Sequence, residues 1–198
     1  MYTGPLGGSH WEAREDASRE VLVALYLRDA LGVVDPSGLP RLLGTGLPAI
    51  ETADDHTTYW WMRWWVSIVE PNARGWGTPL QMVDDEGLVV LPETGAESYI
   101  AAIRRHLDSA RAWADVAHQQ YAESMPHRQH LTVTETVRER EAELGRAANP
   151  FRLRIEVLPL TTAGLWWIGE NAIAVDELLR DEPMMYADAL RPIIAQLA

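Results

Sequence analysis

The chain has 198 residues and a formal net charge of −12, from 17 basic side chains, all of them arginine, against 29 acidic ones. It contains no lysine and no cysteine, which excludes Schiff-base and phosphate-loop lysines, thiol nucleophiles, disulfides and thiolate metal sites. Leu, Ile, Val and Phe together number 47, above the roughly 20% of a chain below which disorder is expected, so a single folded domain over 1–198 is the expectation.

The acidic balance argues against nucleic acid as a partner, because that affinity rests on basic residues that release counterions. Arg146, Arg152 and Arg154 form the densest basic cluster, and with Glu143 and Glu156 beside them they read as a solvated face. The longest apolar run, residues 21–27, falls short of the roughly 18–20 residues that span a membrane. Residues 1–16 carry Glu12, Glu15 and Asp16 where a secretion signal needs a basic start and an apolar run. A cytoplasmic protein with no membrane partner is expected, and the lack of cysteine is compatible with it.

Gly4, Pro5, Gly7 and Gly8 mark a loose leader over 1–8, and Ser9 with Glu12 has the spacing of a capping box, which predicts a helix over 9–31 ended by Gly32. The second half of that helix is apolar nearly all round and has to be covered on most sides. Glycines and prolines between 35 and 48 describe a connection. Within it Gly44-Thr45-Gly46-Leu47-Pro48-Ala49 matches a dinucleotide fingerprint formally, but Pro48 sits where the helix should be established.

Trp60, Trp61, Trp64 and Trp65 crowd the segment 57–69. As a helix it leaves a polar stripe of His56, Arg63, Ser67 and Glu70; as a strand it uses β-preferring Trp, Tyr, Val, Ile and Thr with both faces apolar. The strand is the expectation, because a turn-rich stretch over 71–78 and a hairpin follow it. That hairpin takes residues 80–83, a turn at 84–87 and residues 88–91. Leu91-Pro92-Glu93-Thr94-Gly95 resembles a cell-wall sorting pentapeptide, but more than one hundred residues follow it, and it reads as a strand end closed by a loop.

Over 96–124 the stripe Ile100, Ile103, Leu107, Ala110, Ala114, Ala117 and Tyr121 predicts a helix, ended by Pro126. A charged surface helix is expected over 134–148, with a thin stripe of Val133, Val137, Leu144 and Ala148. Alternation at Phe151, Leu153, Ile155 and Val157 predicts a half-buried strand. Strands over 165–168 and 172–175 flank a turn at Glu170-Asn171, and Asp176 caps a short helical turn. Pro183 opens a closing helix with Met185, Ala189, Ile193 and Leu197 on its inner face and a bend at Pro192. The expected fold class is α+β, a mostly antiparallel sheet of about five strands covered by N-terminal, central and C-terminal helices. A weak echo relates 57–70 to 163–176 through their Trp-Trp pairs.

Two clusters could carry chemistry. Asp54, Asp55 and His56 place carboxylates beside an imidazole, which suits acid–base work or a divalent cation, and equally suits a loop and helix cap. His118, Glu123, His127 and His130 follow one another at the end of the long helix, and the step from His127 to His130 would put two metal ligands on one helical face. The tryptophans, with Arg63 and with Trp166 and Trp167, form either core or an aromatic cleft or interface for a small-molecule ligand or a partner. No motif calls for a cofactor. The functional expectation is a non-catalytic binding or interaction module with a Trp-lined cleft or interface. It would bind a protein partner or a second copy, and the negative charge would steer a basic one. The alternative is a small metal-assisted hydrolase or lyase using the Asp54-Asp55-His56 cluster.

Overall fold

A computed structural model describes residues 2–3, 11–48, 52–70, 79–125 and 131–198. Helix and strand are mixed, as the α+β class requires. The 9–31 segment is not one helix. Its described part opens with strand β2 (Glu12–Asp16), against which β1 (Tyr2–Thr3), in the segment read as a leader, pairs antiparallel. Helix α1 (Arg19–Leu31) begins only after Ser18, its N-cap residue. The local capping signal loses to a long-range ladder, since all five residues of β2 pair with β5 (Arg152–Leu158). Gly32 ends α1 at φ 70°, a conformation that suits glycine.

The tryptophan segment is a helix, α2 (Asp55–Val69), and not the expected strand. The Asp54 side chain accepts the Thr57 backbone N–H at 2.6 Å and caps it. The helical period gathers all four indoles toward the interior, where Trp60, Trp61, Trp64 and Trp65 are 8% exposed or less. Burying such side chains outweighs the few tenths of a kcal/mol per residue by which Trp disfavours a helix. The echoing segment contains a strand, β6 (Leu165–Gly169), so the two Trp-Trp pairs sit in different secondary structures.

A two-stranded ribbon, β3 (Leu80–Met82) and β4 (Val90–Pro92), forms the expected hairpin and places the pentapeptide at a strand end. The 96–124 helix divides into α3 (Glu97–Arg104) and α4 (Leu107–Ser124). Its stripe stays buried across the break, from Ile100 to Tyr121. Next, α5 (Thr132–Leu144) ends at Gly145. After β5 and β6 come β7 (Ala172–Asp176), α6 (Glu177–Arg180) and α7 (Pro183–Leu197). Asp176 caps α6 as expected, accepting the N–H groups of Leu178 and Leu179. The inner face of α7 is Tyr186, Leu190, Ile193 and Ile194, while Met185 is exposed.

The main sheet runs in the order β1-β2-β5-β7-β6. Its four strands of five to seven residues are mixed in direction: β2, β5 and β7 are parallel, and β6 is antiparallel to β7. The expectation of a mostly antiparallel sheet is therefore corrected. Short spacings between 151 and 176 look like successive hairpins, but the chain crosses from β5 to the sheet edge for β6 and returns to insert β7 between them. The crossing segment is held by the connection after α1, through Leu43 N–H to Pro159 O (2.7 Å) and Thr161 N–H to Arg41 O (2.9 Å).

Both faces of the central strands are covered. On one face Arg154 and Glu156 reach the start of α1 and the end of α2. On the other Glu15 meets Arg180 of α6 and Tyr186 of α7. β5 is therefore not half-buried: Glu156 is 0% exposed, although its alternation with Leu153, Ile155 and Val157 resembles a solvent-facing pattern. Helix α1 lies under α2 and α4, and its residues 21–30 are all buried.

Candidate functional site

The Asp54, Asp55 and His56 cluster comes together at the N-terminus of α2, where Asp54 serves as the cap. Asp54 is bound to Thr57 N–H, and that bond holds its carboxyl below the usual 3.8. His56 Nε2 accepts the indole N–H of Trp60 at 3.1 Å, and Nδ1 lies 3.4 Å from Ser98 Oγ. An indole nitrogen only donates, so in the neutral ring the proton sits on Nδ1 and points to Ser98. This polarity is opposite to that of a base drawing a proton from a serine. Glu97, on the same rim, spends its carboxylate on the Gly95 N–H at 3.0 Å.

The α2 indoles form packing rather than a cleft. Trp61 donates to Ala24 O of α1 at 2.8 Å and stacks on Trp65 with centroids 5.3 Å apart. Arg63 lies over Tyr59 and Trp60 at 5.8 Å from each ring. Of the second histidine cluster, Glu123 is exposed and accepts from Gln119 at 2.8 Å. His127 and His130 lie outside the described residues. Among the described residues no group of three or more His, Asp or Glu side chains is arranged to hold a metal ion.

His118 gains a position that the sequence could not assign. Its Nδ1 lies 2.8 Å from Ala17 O, which only accepts, so Nδ1 carries the proton and the neutral ring keeps its lone pair on Nε2. It lines a pocket of about 340 Å³ with Arg14, Glu15, Asp16, Tyr121 and Met125, at the carboxyl end of β2. Ligands favour the carboxyl ends of parallel strands. Glu15 also borders it, but its carboxylate is buried toward α6 and α7, receiving Arg180 at 2.8 and 3.0 Å and the Tyr186 hydroxyl at 2.8 Å. The sequence pointed to His118 only as part of a cluster, and nothing local marks Glu15 as an interior charge.

Trp166 and Trp167 are half-buried, unlike the α2 indoles. They sit on β6, the last strand of the sheet. Asp176 N–H bonds to Gly164 O at 3.0 Å. With Leu165 opposite Val175 and Trp166 opposite Ala174, the alternation of an antiparallel ladder turns the N–H and C=O of Trp166 toward β7. The same alternation turns those of Leu165 and Trp167 to the outer edge, where no strand among the described residues pairs with them. The whole stretch 157–169 is uncharged.

Among the described residues no helix is long and apolar enough to cross a membrane. Comparison of the chain with known protein families, with curated proteins and with solved structures finds no match to any of them.

Proposed function

We propose that this protein is a non-catalytic binding protein whose contact surface is the outer edge of β6. The observation that carries the reading is the row of outward N–H and C=O groups at Leu165 and Trp167, flanked by two half-buried indoles. A backbone edge of this kind is completed by an extended segment laid beside it, with main-chain hydrogen bonds giving affinity and side chains on alternate faces giving selectivity. Trp166 and Trp167 point to opposite faces of the sheet, so each flanks one side of an incoming strand. Aromatic side chains with one polar edge are suited to that position.

The test uses uncharged β-prone peptides of about seven residues, titrated while indole emission is followed. Binding to wild type and its loss in Leu165→Pro is the expected result. That substitution deletes an N–H that points away from β7 and so spares the ladder. If no peptide changes the emission of the monomeric protein, or if the proline variant binds as wild type does, the edge reading fails.

A second reading is favoured by one observation, the Nε2 lone pair left on His118, a pocket-lining residue, by its bond to Ala17 O, beside Arg14 and Asp16. It makes that pocket a small-molecule site in which the imidazole accepts a hydrogen bond or a proton. His118→Gln would then abolish a ligand-induced thermal shift that the wild type shows. A ligand found by thermal screening whose shift survives His118→Gln removes this reading.

A further inference from the structure

We infer that the strand that completes the β6 edge is the β6 of a second copy of this chain, laid antiparallel about a two-fold axis at Trp166. The inference rests on the edge reading above and names its occupant.

The register follows from the ladder. Only Leu165 and Trp167 offer outward hydrogen-bonding groups within the regular part of β6, before the irregularity between Trp167 and Gly169. A two-fold pairing uses both residues of both copies only when Leu165 lies opposite the copy's Trp167. Each such pair exchanges two bonds, so the two pairs supply about four main-chain hydrogen bonds. Trp166 then faces its own copy at the axis in a non-hydrogen-bonded position, where Cα atoms approach to about 4.5 Å and side chains are closest. The contact is isologous and closes on itself, so it makes a dimer and not a fibre.

Charge selects the occupant. A chain of net charge −12 repels its own copy, and a copy can dock only where the contact itself carries no like charge. The stretch 157–169 satisfies that condition, with no acidic or basic side chain. It also has no lysine, and its one proline, Pro159, lies outside β6, so neither charge nor proline blunts the open edge of the strand. Salt distinguishes this occupant from a basic partner: screening relieves repulsion between two acidic copies and strengthens them, whereas it weakens an acidic–basic pair.

Because the chain has no cysteine, Trp166→Cys carries a single thiol. The expected Cα separation at the axis lies within the roughly 4.4–6.8 Å that a disulfide spans, so mild oxidation should convert most of this variant to a covalent dimer. Val116→Cys, 55% exposed on α4, should stay monomeric under the same oxidation. Light scattering on the wild type should show a dimer whose dissociation constant falls as salt rises. Leu165→Pro should raise that constant at least tenfold while its thermal melt stays cooperative. A wild type that remains monomeric to about 500 μM at every salt concentration overturns the inference. So does a dimer indifferent to Leu165→Pro, or equal cross-linking at position 116. If such a monomer still binds the strand peptides, the edge reading stands without its second copy; if it binds none, both fall.

Discussion

The carboxylate of Glu156 accepts the backbone N–H and the hydroxyl of Ser18, both at 2.9 Å, and so closes the N-terminus of α1 from within the sheet. The positive end of that helix, which in many sheet proteins receives an outside anion, is already occupied by the chain's own charge. Arg154 completes the arrangement, donating to Glu156 at 2.5 Å, to Ile68 O at 2.7 Å and to Ser18 Oγ at 3.1 Å. One carboxylate thereby ties β5, α1 and α2 together.

Removing it should be costly. Glu156→Ala leaves a partly buried guanidinium and the first turn of α1 without their acceptor, and the expected loss is about 3 kcal/mol. Glu156→Gln keeps one acceptor oxygen and should lose about half as much. Urea unfolding followed by far-UV circular dichroism reads both, and equal losses in the two variants would show that the charge is not what matters.

Tyr99 is 1% exposed and its hydroxyl has no hydrogen-bond partner among the described residues. A buried hydroxyl without a partner carries a desolvation cost, so Tyr99→Phe should stabilise the protein by about 1 kcal/mol. Burial also raises the phenol's pKa above its ordinary 10.0. The contribution to stability is thus fully present below pH 10 and declines above it, as the unfolded chain's tyrosine ionises and the folded one resists. The substitution should flatten that alkaline decline, and a destabilised phenylalanine variant would refute the assignment.

At the acid end the signs reverse. Asp54 is held below its ordinary 3.8 by Thr57, and Glu86 below its ordinary 4.5 by Arg111 and then Arg19. Their stabilisation is complete above those ordinary values and is lost as pH falls through the depressed ones. Thermal midpoints measured from about pH 5 to about pH 2 should therefore fall less steeply in Asp54→Asn and Glu86→Gln than in the wild type. Parallel curves for all three proteins would contradict this.

The tryptophans should divide into two classes. Trp61→Ala removes a fully buried indole and its bond to Ala24 O, at an expected cost of about 3–5 kcal/mol. Trp166→Ala should cost about 1 kcal/mol or less. A methyl group added at Gly164 would fall 2.6 and 2.8 Å from ring atoms of Trp166, so Gly164→Ala should displace that ring and alter indole emission while the thermal midpoint moves little. Comparable losses for Trp61→Ala and Trp166→Ala would place β6 inside the core.

Much of this was legible residue by residue. The stripe from Ile100 to Tyr121, the hairpin before it, the cap at Asp176 and the strand over 172–175 follow from spacings of two to four residues. Those patterns hold whatever packs against them. Two interior features were not legible. Glu15 sits in a segment with a helical start signal, and Glu156 alternates with apolar residues as a solvent-facing acid would. Each owes its place to partners far along the chain, Arg180 and Tyr186 for the first and Ser18 for the second.

By itself the sequence determined the excluded chemistry, the acidic surface and the elements whose period is local, because composition and spacing need no neighbours. The tertiary structure decided that 55–69 is a helix, that β7 inserts between β5 and β6, and which indoles keep an outward edge. The physical reason is reach: Ser18 and Glu156 lie 138 positions apart, and burial, strand order and exposure are set by such contacts, which no window of neighbouring residues contains.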